Sequence, residues 1–178
     1  ARRLGVSRVP VREALVTLES EGLVEFRETG RAFVKKLSVR DFSELYGLRL
    51  LLEPPAARLA APHVRQHLAQ FEENIEATMA ARTEQELTKL DLDFHELILI
   101  ASGNSRLLRA WRSFRNELQL WLGSLHHLQN QRSDALRETV ALHRDLLSHF
   151  LKSPPAQCER ILREHILVWR EWLPIEEP

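Results

Sequence analysis

The sequence predicts a mostly α protein: an N-terminal winged helix-turn-helix, here lacking its first helix, followed by an all-α six-helix bundle. Three observations carry this. A short helical pattern lies between a glycine turn and two β-prone runs; from residue 38 onward the apolar residues recur with helical spacing; and no further strand signal occurs before Pro178.

The opening Ala1-Arg2-Arg3-Leu4-Gly5-Val6-Ser7 reads as the last turn of a helix, a tight turn and a fresh N-cap, so an upstream helix is expected to be missing. From Ser7, Val11, Ala14, Leu15 and Leu18 line one helix face, which Glu21-Gly22 ends. Pro10 is tolerated because a first-turn N–H has no partner to lose. Residues 23–27 and 32–36 are β-prone and flank Glu28-Thr29-Gly30-Arg31, a hairpin signal with glycine at its tip. This is the expected wing. Ser38-Val39-Arg40-Asp41 then has the Ser-x-x-acid form of a helix start. Helices are expected at about 39–61, 64–82, 84–102, 106–128, 134–152 and 155–173, broken at Pro62, Thr83, Gly103-Asn104, Ser133 and Pro154-Pro155. Pro54-Pro55 inside the first should kink or divide it, since each proline removes a donor and crowds the preceding turn. The expected domains are 1–37 and 38–178.

With 44% hydrophobic residues and zero formal net charge over 178 residues, the chain can bury a core and lies outside the disordered regime. The zero hides an asymmetry: residues 1–40 carry nine Lys/Arg against five Glu, so the remainder is acidic. A basic end on an acidic body suits a protein that meets a polyanion at one end. Cys158 is the only cysteine, which excludes an intramolecular disulfide and a Cys-rich zinc site. No apolar run spans a bilayer and no signal-peptide pattern is present, so the expectation is a cytoplasmic protein without membrane contact.

A helix held behind a glycine turn presents its N-terminal residues to the major groove of double-stranded DNA. Ser7, Arg8 and Arg12 are the candidates here. Arg8 and Arg12 are four apart and share a face flanking the apolar stripe, suiting one contact to guanine and one to phosphate. At the wing tip, Gly30 permits close backbone approach and Arg31 supplies charge. Ser7-Arg8-Val9-Pro10-Val11-Arg12-Glu13-Ala14-Leu15, then Leu18-Glu19, Glu21-Gly22-Leu23-Val24 and Gly30-Arg31-Ala32-Phe33-Val34, closely resembles the GntR family of transcription regulators. The resemblance implies that Arg8 and Arg12 contact the operator and that Gly30 sits at the wing tip.

In the body, Asp91 and His95 are four apart on one expected helix and so share a face. His143 and His165 each lie eleven residues from Pro154, so two helices folding back there return both imidazoles to one level, roughly 16 Å from the turn. Three imidazoles and a carboxylate suit a divalent metal ion, zinc foremost, with nickel, manganese or iron as alternatives. His63, His67, His126, His127 and His149 are read as ordinary surface or core residues. Asp93 is two residues from Asp91 and turns away from it, towards solvent.

Leu48-Arg49-Leu50-Leu51-Leu52-Glu53-Pro54, Ala56-Ala57-Arg58-Leu59-Ala60, Asp91-Leu92-Asp93-Phe94-His95 and Ala101-Ser102-Gly103-Asn104, with His143 and His165, resemble the FCD-type ligand-binding domain of the FadR subfamily. That likeness implies metal ligation by Asp91, His95, His143 and His165, and a small organic acid held by the metal and Arg49. From the residues alone, Arg49 could equally pair with Glu53 on a surface. The expected function is a homodimeric, non-enzymatic regulator binding a palindromic operator under effector control. Two rivals stand beside it: a regulator whose histidines bind the effector without metal, and a metallohydrolase using the same four residues.

Overall fold

The computed structural model describes residues 1, 5–36, 38–131 and 133–168. Helix α1 (Arg8–Ser20) leads into an antiparallel hairpin of β1 (Val24–Phe26) and β2 (Ala32–Val34), paired Val24 to Val34 and Phe26 to Ala32. Gly30 adopts the left-handed conformation at φ 71°, the reason glycine occupies the hairpin loop. Val11, Leu15 and Leu18 are half-buried, while Val9 and Val16 are exposed.

The body consists of α2 (Val39–Ala60), a 3₁₀ turn (Val64–His67), α3 (Leu68–Met79), α4 (Glu84–Ala101), α5 (Ser105–Asn130), α6 (Ala135–Lys152) and α7 (Pro155–Val168). The segment expected as one helix over 64–82 is thus split into a 3₁₀ turn and α3. The predicted extension of the last helix to 173, and residues 2–4 of the opening turn, lie outside the described residues.

The helix starts are set by side chains that satisfy otherwise unpaired first-turn N–H groups. Ser38 and Asp41 form a reciprocal capping box on α2, and Thr83 and Glu86 do the same on α4. Asn104 accepts from Arg106 N and Leu107 N to open α5. Of the two outcomes expected at Pro54 and Pro55, a kink or a division, the division does not occur: α2 runs unbroken through both. Two internal hydrogen bonds are forfeited there, but the same stretch buries Glu53, Pro54, Ala56, Ala57 and Ala60 in the bundle. Packing outweighs the local penalty.

Helix α2 packs most extensively on α7 and also meets α4 and α5, while α4 lies between α2, α3 and α5. The core runs from Phe42 and Trp121, ring centroids 3.9 Å apart, through Ala56, Ala57 and Leu92 to Phe150 and Leu162. The N-terminal unit meets this body at α5. Lys35 reaches Glu117 at 3.4 Å and Asp41 at 3.3 Å, Asn116 donates to Glu21 at 3.1 Å, and Gly22 lies against the Glu117 side chain.

Candidate functional site

The interior of the bundle is not uniformly apolar. Asp91 and His95 project from one face of α4, His143 enters from α6 and His165 from α7, and all four are buried. The fold-back at Pro154 does return His143 and His165 to one level. One nitrogen from each of His95, His143 and His165 lies within 4.8 Å of the others. His95 Nε2 is 3.3 Å from His165 Nε2, and His143 Nε2 is 3.1 Å from Asp91 Oδ1. Adjacent ligands of one ion bound at about 2.0–2.1 Å lie about 2.9 Å apart in octahedral and about 3.3 Å apart in tetrahedral geometry, a range that includes both spacings.

The lone pairs of this cluster are poorly used within the protein. Both oxygens of Asp91, both nitrogens of His143 and Nδ1 of His165 are buried without a hydrogen-bond partner. The 3.1 Å approach of His143 to Asp91 is close enough for an ion pair but misaligned for a hydrogen bond. Buried polar groups are normally satisfied, so unpartnered carboxylate oxygens beside imidazoles that each offer one lone pair fit residues that would hold a cation. Phe94 stacks on His143, centroids 3.9 Å apart and planes within 10°, and so holds that ring's orientation.

Burial favours the neutral imidazole and pushes both His143 and His165 below the ordinary histidine value; Asp91 opposes this, while neighbouring imidazoles reinforce it. Burial also opposes charge on Asp91, but His143, His95 and His126 hold its carboxyl well below the usual range. A histidine with a depressed folded pKa contributes stability that is complete above its unfolded value of 6.5 and is lost as pH falls below it. Chelator-treated protein should therefore show a lower denaturation midpoint at about pH 5.5 than at about pH 8. Equal midpoints would contradict the burial of neutral imidazoles.

Beside the cluster, α2 supplies Arg49 and Glu53, each almost wholly buried. They pair as spacing allowed, though in the interior and not on a surface. Arg49 Nε donates to Glu53 Oε1 at 2.7 Å and Nη2 to Oε2 at 3.2 Å, and Trp111 Nε1 on α5 donates to Oε1 at 2.8 Å. Glu53 Oε2 also lies 2.7 Å from His95 Nδ1. His126, read from sequence as ordinary, is fully buried, contacts Thr88 Oγ1 at 2.8 Å and interacts electrostatically with Asp91. Glu53, Trp111, Phe94 and His126 were missed as parts of this site. Only Glu53 had a visible signal, its spacing from Arg49. Asp93 is turned away as expected but is engaged with Lys89 and Arg115 rather than free in solvent. His149 stays outside, beside Asp145 and Ser153.

At the other end, Arg8 and Arg12 are exposed on α1, and Ser7 precedes the helix without capping it through its side chain. Arg31 is exposed next to Gly30. Arg12 and Gly30 border one groove between α1 and the hairpin, so recognition-helix and wing candidates are adjacent.

The sequence profile of the FCD domain matches residues 44–167, and that of the bacterial regulatory proteins of the gntR family matches residues 1–34. The chain belongs to the GntR family. This member is 28% identical over 173 residues to the "Probable D-xylose utilization operon transcriptional repressor" of Paenarthrobacter nicotinovorans, covering 95% of this chain and 74% of that protein. It is 28% identical over 126 residues to the gluconate operon transcriptional repressor of Bacillus licheniformis, covering 68% of this chain and 51% of that protein. The crystal structure of a GntR regulator from Rhodococcus sp. RHA1 shares the fold at TM-score 0.79 and 20% identity, over 97% of this chain and 83% of that one. This GntR-family protein is thus a DNA-binding transcription regulator with an FCD domain, and among its described residues no helix is long and apolar enough to cross a membrane.

Proposed function

We propose that this regulator senses a small organic acid at a divalent metal held by Asp91, His95, His143 and His165, and that the acid alters its affinity for a palindromic operator. The observation that supports this most is the convergence of the imidazoles of His95, His143 and His165 inside the helical bundle, beside the Asp91 carboxylate, whose buried oxygens have no hydrogen-bond partner. A bound divalent ion of five- or six-fold coordination would supply positive charge and, beyond these four protein ligands, a position for a carboxylate oxygen. Arg49 presents a planar fork of five donors, two of which Glu53 engages, so donors remain for an acid. Gluconate, after whose operon one relative is named, is an acid of this class.

Domain 1–37 meets the operator through Ser7, Arg8, Arg12, Gly30 and Arg31, and domain 38–178 senses and dimerises. Leu48, Leu51 and Leu59 leave an apolar strip exposed on α2, suited to a second copy. Helix α5 joins the two ends: Trp111 touches Glu53, and about one and a half turns further on Asn116 and Glu117 touch Glu21, Gly22 and Lys35. A shift of α5 at the site is thereby transmitted to the reading head.

The test is operator binding by the full-length protein, titrated with hydroxy acids, dicarboxylates and sugar acids, each beside its amide. An acid should change operator affinity, its amide should not, and chelation or Arg49→Lys should blunt the response. Arg8→Ala or Arg12→Ala should cost about 1–3 kcal/mol of specific binding wherever the side chain reads a base. A best ligand that is uncharged, or unchanged operator affinity in both arginine variants, would refute the assignment.

A further inference from the structure

The carboxylate of Glu53 is fully buried, and its contacts occupy both oxygens: Arg49 Nε and Trp111 Nε1 on Oε1, Arg49 Nη2 and His95 Nδ1 on Oε2. Three donors of fixed direction from two helices leave its plane little freedom. An ionised carboxylate only accepts hydrogen bonds, so the imidazole nitrogen 2.7 Å from it carries the proton. That places the lone pair of His95 on Nε2, the atom 3.3 Å from His165 Nε2. The His95 N–H is not yet aligned on the oxygen, since Nδ1 has no hydrogen bond of good angle.

We infer that Glu53 is the positioning residue of the site: it fixes the His95 tautomer that turns Nε2 toward the other ligands, and it ties that ligand to Arg49 through one shared carboxylate. The inference rests on the metal-site reading proposed above, although its tautomer half stands without a metal. Metal-bound histidines commonly donate their second N–H to a carboxylate, whose loss lowers metal affinity about 10–100-fold. Here the same carboxylate also orients the guanidinium proposed to bind the effector. Metal ligand and acid-binding fork are thereby set in register by a single side chain.

Glu53→Gln isolates this role. The amide oxygen can still accept from Arg49 Nε and Trp111 Nε1 in the place of Oε1; the NH₂ then faces His95 Nδ1, at the loss of the weaker Arg49 Nη2 bond. A donor there favours the Nε2–H tautomer and turns a proton, in place of a lone pair, into the cluster. Long-range ¹⁵N–¹H spectra of the metal-free full chain, with the rings kept neutral, should show His95 as Nδ1–H in wild type and shifted toward Nε2–H in Glu53→Gln. Zinc affinity, read by chelator competition, should fall about 10–100-fold in the variant. Glu96→Gln is the control, because Glu96 pairs with Arg112 and Arg115 on the flank of α4; it should change neither readout. An Nε2–H His95 in the wild type, or wild-type zinc affinity in Glu53→Gln, would overturn the inference. A wild type that takes up no zinc would refute the metal reading instead, and the tautomers would then decide the role of Glu53. Should Glu53→Gln fail to fold, the wild-type tautomer decides it.

Discussion

Replacing His143 with alanine is expected to remove most of the metal-binding capacity of the protein and, with it, the stabilisation that metal confers. An ion that binds only the folded state stabilises it by mass action, about 2.7 kcal/mol at a hundredfold excess over its dissociation constant. For a chain of this length that corresponds to roughly 5–10 °C in melting temperature. The wild type should therefore melt higher with added zinc, and His143→Ala should lose that increment. His149→Ala, six residues along the same helix but 40% exposed and paired with Asp145, should keep both the metal and the increment. Metal analysis of tag-free protein and paired melting curves check this. Equal metal loss in the two variants would mean that the ligand set is wrongly drawn.

Arg49→Ala is expected to be the most destabilising single substitution in the site. It would leave the buried carboxylate of Glu53 with Trp111 and His95 as its remaining contacts. Removing one partner of a buried ion pair typically costs about 3–5 kcal/mol, because the other charge stays desolvated without compensation. Chemical denaturation should show a loss of this order. Arg49→Lys keeps the charge but not the fork and should fall between wild type and alanine. The double variant Arg49→Met with Glu53→Gln removes both charges and should be milder than Arg49→Ala. A loss below about 1 kcal/mol in Arg49→Ala would show that the pair is hydrated in solution. For this reason the lysine variant, and not alanine, is the useful probe of effector binding.

The parts of the fold legible in the sequence follow from local geometry. Ser38 and Asp41 announced their capping box by spacing, and Gly30 its left-handed turn by residue type. The meeting of His143 with His165 was readable because a helix has a constant rise and a double proline marks where the chain turns back. What escaped depended on tertiary environment. An Arg–Glu pair four apart is usually a solvated surface feature, and nothing local revealed that Arg49 and Glu53 face the interior. Pro54 and Pro55 signalled a kink or a division, and the packing of Ala56, Ala57 and Ala60 overrides the division. His126, read as a surface or core residue, is the core kind, bonded to Thr88 where α4 lies against α5, but nothing local distinguished it from its exposed neighbour His127.

The contact between the N-terminal unit and α5 also sets an energy scale. Among the described residues its polar contacts are side-chain tips: Lys35 between Glu117 of α5 and Asp41 of α2, and Asn116 on Glu21, with Gly22 against the Glu117 side chain. Partly exposed ion pairs of this kind contribute about 0–1 kcal/mol each. The whole seam is then of the same order as the 1–3 kcal/mol that typically couples an effector site to a distant one. A core-like junction would have frozen the reading head in one place, beyond the reach of any small ligand. Under the proposed effector control, a seam this thin would let a ligand of ordinary differential affinity shift the placement of the head.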